Sequence, residues 1–429
     1  MAGVKSTSRN PWTWIPTLYM AEGLPNVLVA SVSVVLYKNL GVSNAAIAFY
    51  TGWLYLPWVI KPLWSPLVDL LKTRRQWIWA MQLVLGAGLA GVALTIPMPH
   101  FFQLTLAFFW LLSFSSATHD IAADGFYMLA TTEREQSFFV GIRSMFYRVA
   151  TIAAQGGLVI LVGKIRAHTG NYASAWSIAF GLVAGGYLCF GLYHWFILPR
   201  PAGDQPKLSE ERDFLMEFFK TFGTFFQKPK IGLMLAFILL YRLGEAQLMK
   251  MFQPFLLDPR VDGGLGLTNV QLGHVYGYVG IPIFILGSLL GGFAIARHGL
   301  KFWLWPMLLA IHLPDAVFIW LAYAQPDSIY AIGTGVAVEQ FGYGFGFTAF
   351  MLYMIRIARG QHQTAHYAIC TGFMALGVMM PGMWSGWVQE HLGYQHFFIW
   401  VILATVPSFI VAAKIPLEAE FGRRDGNRS

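Results

Sequence analysis

Twelve apolar segments occupy most of this 429-residue chain. Each is about 20 residues or longer, the length at which a helix crosses the hydrocarbon core of a bilayer. They run over 12–37, 44–67, 77–96, 101–130, 138–163 and 173–197, then 231–257, 270–296, 302–324, 328–357, 363–390 and 395–415. Only 12% of residues are charged while 56% are hydrophobic, and a soluble domain carries about 25% charged residues. So few charges do not make a water-facing surface. An outer-membrane barrel is excluded as well, because its signature is short alternating segments and not long apolar runs. The chain is expected to be an all-α polytopic membrane protein.

Six segments fall on each side of the one sustained polar stretch, 198–230. This organisation predicts an N-terminal six-helix bundle over 1–197, a linker over 198–230 with an interfacial helix near 209–226, and a C-terminal bundle with a tail over 231–429. Lys and Arg are unevenly spread over the loops. With the N-terminus inside, twenty lie on the cytoplasmic side and four (Lys38, Lys164, Arg166, Arg260) on the other. The positive-inside rule then places both termini in the cytoplasm. The net charge of +8 is therefore topogenic, and nucleic acid is not an expected partner. No secretory signal precedes the first segment. Cys189 and Cys370 both lie in apolar runs, which leaves no disulfide framework or thiolate metal site.

Ionisable residues inside the segments cost free energy unless paired or hydrated, so each marks a polar interior or a function. Glu22, Arg148, Arg242, Glu245, Asp315 and Glu339 fall near mid-membrane. Lys61, His119, Asp120, Asp124 and Arg143 lie nearer the cytoplasmic side. Asp120 and Asp124 share a helix face, and the next segment returns with Arg143 and Arg148. Pairing of Asp120 with Arg148, and of Asp124 with Arg143 or loop cations, would neutralise all four. Arg242 and Glu245 are three apart and close enough to satisfy each other. Glu22 and Glu339 have no partner within their own helices, which makes them candidate proton carriers, as are Asp120 and Asp124. Tyr147 and Tyr343 are the aromatics on polar faces to test for solute contact.

Several patterns carry less. Gly342, Gly344 and Gly346 lie inside a segment, where Gly342 and Gly346 form a small-residue packing face, and Gly382 with Gly386 reads the same way. His362 and His366 have a zinc-pair spacing but no third ligand, so no metal or cofactor is expected. No Ser-His-Asp set or nucleophile elbow points to an enzyme.

Two turns echo each other in the halves. Ser65 to Arg75 reads SPLVDLLKTRR and Gly292 to Lys301 reads GFAIARHGLK. The second resembles the G-x-x-x-(D/A)-R-x-G-x-K signature of the major facilitator superfamily, with Gly292, Arg297, Gly299 and Lys301 in register, and the first keeps Asp69 and the basic cluster. Charges in such turns pair across the cytoplasmic seam in one state and separate in another. Asp69, Arg74, Arg75, Arg143, Arg297 and Lys301 are therefore expected gating residues. The alternative for Lys72, Arg74 and Arg75 is loop anchoring.

The segment SSATHDIAADGF (Ser115 to Phe126) is similar to the S-A-(S/T)-Q-D-I-x-x-D-(A/G)-W run of the AmpG muropeptide permease and acetyl-CoA transporter group. The likeness continues through AEGLP (Ala21 to Pro25), KPLWSPLVD (Lys61 to Asp69), Tyr147-Arg148, LLYRLGEA (Leu239 to Ala246), EQFGYGFGFTAF (Glu339 to Phe350) and QTAHYA (Gln363 to Ala368). The resemblance implies a twelve-helix major facilitator in the bacterial inner membrane. Its implied activity is proton-driven import of a cell-wall recycling product, an anhydro-muropeptide. By position, Asp120, Asp124, Tyr147, Arg148, Glu245 and Glu339 match polar family positions. This chain departs at His119 and Glu22, carries no C-terminal extension with further helices, and ends its motif in DGF, closer to the acetyl-CoA branch.

The expected protein is thus a monomeric transporter of an anionic solute, with a cavity between its halves. Its solute-binding set is Arg148, Tyr147, Arg242, Glu245, Glu339, Tyr343 and His119, and its protons are handled by Glu22, Asp120 or Asp124. Alternative cargoes are acetyl-CoA, another nucleotide conjugate or a siderophore. A membrane-embedded enzyme or a receptor is the alternative class.

Overall fold

The computed structural model describes residues 9–205, 220, 222–360, 363–418 and 421–423. His362 and the side chain of Asp69 lie outside the described residues, as does most of the expected 209–226 helix, of which 222–226 is helical. The described residues are helical throughout, without strands. We number the membrane-length helices α1 (Pro11–Asn39), α2 (44–71), α3 (Arg74–Thr95), α4 (Phe101–Ala130), α5 (133–169) and α6 (Tyr172–Ile197). They continue as α7 (Ile231–Leu257), α8 (Asn269–His298), α9 (Leu300–Ala324), α10 (Ile329–Ala358), α11 (363–392) and α12 (394–412). The last two are separated by Gly393, whose φ of 69° and ψ of 164° break the helix.

Short polar side chains set the helix starts by accepting from orphan backbone N–H groups. Ser43 caps α2 through the Ala46 N–H, Asn171 caps α6, and Ser328 caps α10. Thr73 with Gln76, Thr132 with Glu135, and Thr268 with Gln271 form capping boxes at α3, α5 and α8. The helices are also interrupted inside the membrane. π-Helical stretches occupy Leu28–Val32 in α1, Ala153–Leu158 in α5 and Gly273–Gly280 in α8. Short turns break α2 at Leu54–Tyr55 and α7 at Tyr241–Arg242, and a 3-10 turn, Leu313–Asp315, breaks α9. Such breaks are tolerated at membrane depth where neighbouring protein satisfies the freed backbone groups.

The chain divides into two compact units, residues 1–36 with 60–218, and residues 37–59 with 219–429. In the first, α3 packs along α4 and α6 while α1 packs along α5. Its core joins Trp14 and Tyr19 of α1 to Phe126 and Tyr127 of α4. The N–H groups of Arg74 and Arg75 at the start of α3 donate to the Asp204 carboxylate at 2.7 and 3.1 Å. A carboxylate is favourable at that dipole end.

In the second unit, α10 packs against α8 and α9, and α11 packs against α7 and the first part of α2. Apolar side chains gain little by leaving lipid for one another, so close backbone approach must hold these helices. A Cβ on Gly342 would stand 2.1 Å from the Ala310 carbonyl oxygen of α9, and one on Gly344 2.0 Å from that of Phe284 in α8. The glycines that imitate a phosphate loop are therefore helix contacts on two faces. Gly342→Val is expected to force α9 and α10 apart, at about 1–3 kcal/mol or more. Melting of the purified variant in detergent checks this, and an unchanged Tm would refute the packing role. Tyr241 stacks on Phe350 at 5.0 Å, and its hydroxyl donates to the Gly346 carbonyl at 3.0 Å.

The 37–59 segment joins the second unit through a buried polar network. Lys38 pairs with Asp258 at the C-terminal end of α7, which also accepts from the Tyr394 hydroxyl at 2.6 Å and from Asn44 Nδ2 at 3.2 Å. Asn44 also donates to Gln389 of α11 at 2.7 Å, and Lys38 donates to Asn44 Oδ1 at 2.9 Å. Gly386 makes this approach possible, since a Cβ there would lie 2.1 Å from the Asn44 carbonyl oxygen.

Candidate functional site

In the first unit, α4 presents Asp120 and Asp124 one turn apart. Arg143 of α5 donates to Asp124 at 3.1 Å and to the Tyr19 hydroxyl at 2.8 Å, and that hydroxyl donates onward to Asp124 at 3.2 Å. The guanidinium lies over the Tyr19 and Tyr127 rings at 4.9 and 5.1 Å. This is the Asp124 pairing expected from helical spacing, with Tyr19 added. Lys61 of α2 lies 3.6 Å from Asp120. Arg148, the partner expected for Asp120 on α5, is half-buried, as is Tyr147. Glu22 of α1 is 8% exposed, its Oε2 has no hydrogen-bond partner among the described residues, and it lies within Coulombic reach of Asp120, Asp124, Lys61 and Arg143. Tyr147 sits behind it, its backbone oxygen 3.0 Å from where a Cβ on Gly23 would be.

His119, within Coulombic reach of Lys61, enters a separate chain of hydrogen bonds. Its Nε2 meets Gln82 Nε2 at 2.9 Å, Gln82 Oε1 meets His194 Nδ1 at 2.9 Å, and His194 Nε2 meets Thr17 at 2.9 Å. With the Gln82 amide nitrogen donating, His119 Nε2 accepts, and among the described residues the buried Nδ1 has no hydrogen-bond partner. Gln82 and His194 were not evident from sequence. A helix-interior Gln and a His near a helix end have no local spacing signal.

In the second unit, the break at Tyr241–Arg242 turns the Arg242 guanidinium inward. It meets Glu245 in a two-pronged pair at 2.7 and 3.1 Å. It also donates to the Tyr343 hydroxyl at 2.8 Å and lies over the Phe347 ring at 5.0 Å. Arg242 is 6% and Glu245 0% exposed. Glu339 is buried and accepts from the Gln340 amide at 2.9 Å. Asp315, at the break in α9, is buried; among the described residues neither of its carboxylate oxygens has a hydrogen-bond partner, and it lies within Coulombic reach of Glu339 and Glu245. Tyr55 and Tyr276 lie in the same electrostatic neighbourhood. Sequence reading grouped Arg242, Glu245, Tyr343 and Glu339. It noted Asp315 without assigning it a role, and it missed Tyr55 and Tyr276.

The expected gating residues divide. Arg74 donates to the Gly125 carbonyl at 3.0 Å, and Arg75 to the Leu198 and Trp195 carbonyls. Arg297 and Lys301 are exposed, flanking Gly299, whose φ of 85° favours glycine. His366 is buried beside Thr224 at 3.2 Å, and no group of three or more metal-binding side chains occurs among the described residues.

Helices long enough to cross a bilayer, broken at depth where charged side chains meet, define a multi-pass membrane protein with a transporter architecture. The chain belongs to the major facilitator superfamily, whose family model matches residues 17–378, and within it the chain is AmpG-like. It is 24% identical to the anhydromuropeptide permease of Escherichia coli K12, over 96% of this chain and 80% of that protein. It is 24% identical to the putative transporter AmpG 4 of Rickettsia conorii, over 92% of this chain and 94% of that one. Among solved structures, a bacterial homologue of the human lysosomal transporter Spinster superposes with a TM-score of 0.68 at 17% identity, over 96% of both chains. A POT family transporter superposes with a TM-score of 0.69 at 10% identity, over 93% of this chain and 95% of that one.

Proposed function

We propose that this protein is a proton-coupled secondary transporter that imports an anionic, amino-sugar-containing solute, an anhydro-muropeptide, across the bacterial inner membrane. It acts as a monomer with both termini in the cytoplasm and catalyses no covalent chemistry. The observation that carries the reading is the buried Arg242–Glu245 pair beneath Tyr343. A guanidinium at membrane depth is the natural mate for a carboxylate, and a solute acid that displaces Glu245 frees an acidic group to take a proton. Tyr343, Glu339, Tyr147, Arg148 and His119 complete the solute-contacting set in this reading. The permease from E. coli supports the cargo class by its name.

Proton handling falls to Glu22, Asp120 and Asp124, which crowd three carboxyls near two cations, Lys61 and Arg143. Asp69, Arg74, Arg75, Arg143, Arg297 and Lys301 gate the cytoplasmic side. The halves 1–197 and 231–429, joined by 198–230, are the moving parts.

Uptake of labelled anhydro-muropeptide into proteoliposomes tests this directly. Accumulation should require an inwardly directed proton gradient and collapse with a protonophore. Arg242→Met should lower uptake at least tenfold, the scale of one charge-assisted hydrogen bond. Absence of uptake by folded wild-type protein would remove the muropeptide cargo and direct the assay to acetyl-CoA and siderophores.

A further inference from the structure

Lys250 has no role in the site so far. It lies in α7, eight residues beyond Arg242, and is 7% exposed. Other cations of this unit have acids: buried Arg242 has Glu245, and half-buried Lys38 has Asp258. Among the described residues, no carboxylate or hydrogen-bond acceptor engages the Lys250 ammonium, whose partner is the face of the Tyr55 ring, 6.0 Å from Nζ. Tyr55 stands at the break in α2 and lies within Coulombic reach of Arg242 and Glu245. Lys250 is therefore at the edge of the solute site.

A lysine kept inside the membrane for structure either pairs with an acid or extends its head to the interface. Lys250 does neither. A buried ammonium without a counter-charge is unfavourable, and a cation–π contact at 6.0 Å offsets only part of that. The missing counter-charge is one that arrives. Eight residues of helix separate it from Arg242 by about 12 Å.

We propose that Lys250, seated on Tyr55, is a second anion-binding point that takes a carboxylate of the solute distinct from the one met by Arg242. It rests on the assignment of the Arg242 cluster as the solute site. The protein then selects solutes with two separated acidic groups, and a solute with one acid is bound poorly.

The test compares two labelled solutes in proteoliposomes: an anhydro-disaccharide tripeptide and the same molecule with only its C-terminal carboxylate converted to an amide. Wild-type protein should show a KM about tenfold lower for the acid, the scale of one hydrogen-bonded charge. Lys250→Met should lose that preference by a rise in KM for the acid, with uptake of the amide unchanged, and Lys250→Arg should keep it. A Lys250→Met protein that retains the wild-type preference overturns the proposal while leaving the transport reading in place. If wild-type protein takes up neither solute, the muropeptide reading fails separately. A second measurement then decides on Lys250: acetylation of the whole purified protein with the anionic reagent sulfosuccinimidyl acetate, mapped by mass spectrometry. Modification of Lys250 shows a site open to anions. An unmodified Lys250 beside acetylated loop lysines overturns the proposal.

Discussion

Glu245→Gln is expected to destabilise the protein by about 3–5 kcal/mol, because it leaves the Arg242 guanidinium charged, buried and without an acid. The carboxylate is fully buried and receives two of the guanidinium's hydrogen bonds, at 2.7 and 3.1 Å. A neutral amide replaces neither the charge nor the two-pronged geometry. The pair as a whole contributes far less than either partner's removal costs. Desolvating two ions offsets most of their attraction, so the double variant Arg242→Met/Glu245→Leu should recover most of the lost stability. It still leaves Tyr343 without the donor at 2.8 Å, a residual of about 1 kcal/mol. Thermal unfolding in detergent measures all three proteins, and uptake separates stability from function. The double variant should fold and not transport. Additive losses in the double variant would show that the two residues do not act as a pair, and wild-type uptake would remove Arg242 from the solute site.

The second large effect concerns the 37–59 segment. Asp258→Ala removes the acceptor shared by Lys38, Asn44 and Tyr394. Lys38 would keep only Asn44 Oδ1 at 2.9 Å. Loss of one partner from a buried ion pair costs about 3–5 kcal/mol. The loss should be local, since the network is what ties 37–59 to α7 and α11. Hydrogen exchange over 37–59 should therefore accelerate much more than exchange in α8 or α10. Adding Lys38→Met to Asp258→Leu should restore protection. Uniform acceleration across the second unit, or none, would contradict the assignment.

Features that depend on neighbours along one helix were legible before any coordinates. The Arg242–Glu245 pair follows from a spacing of three, and the Asp124–Arg143 pair from two consecutive antiparallel helices. The small-residue faces at Gly342, Gly346 and Gly386 also follow from spacing, although the carbonyls they admit, those of Ala310, Met307 and Asn44, do not. Lys61 opposite Asp120 was hidden because α2 and α4 are not consecutive. The Thr17–His194–Gln82–His119 chain draws one residue from each of four helices, which no local pattern signals.

By itself, the sequence determined that this chain is a helical membrane protein with charges retained at depth, since apolar length and charge scarcity admit no other solution. Local spacing also brought Arg242 and Glu245 within reach of each other, as the structure shows them. Tertiary structure alone decided which helices stand side by side, and so which charge was left over. Helix-to-helix association in lipid rests on small-residue contacts and buried polar pairs that are distant in the chain. For that reason Lys38 found Asp258, Lys61 found Asp120, and Lys250 was left with the face of Tyr55.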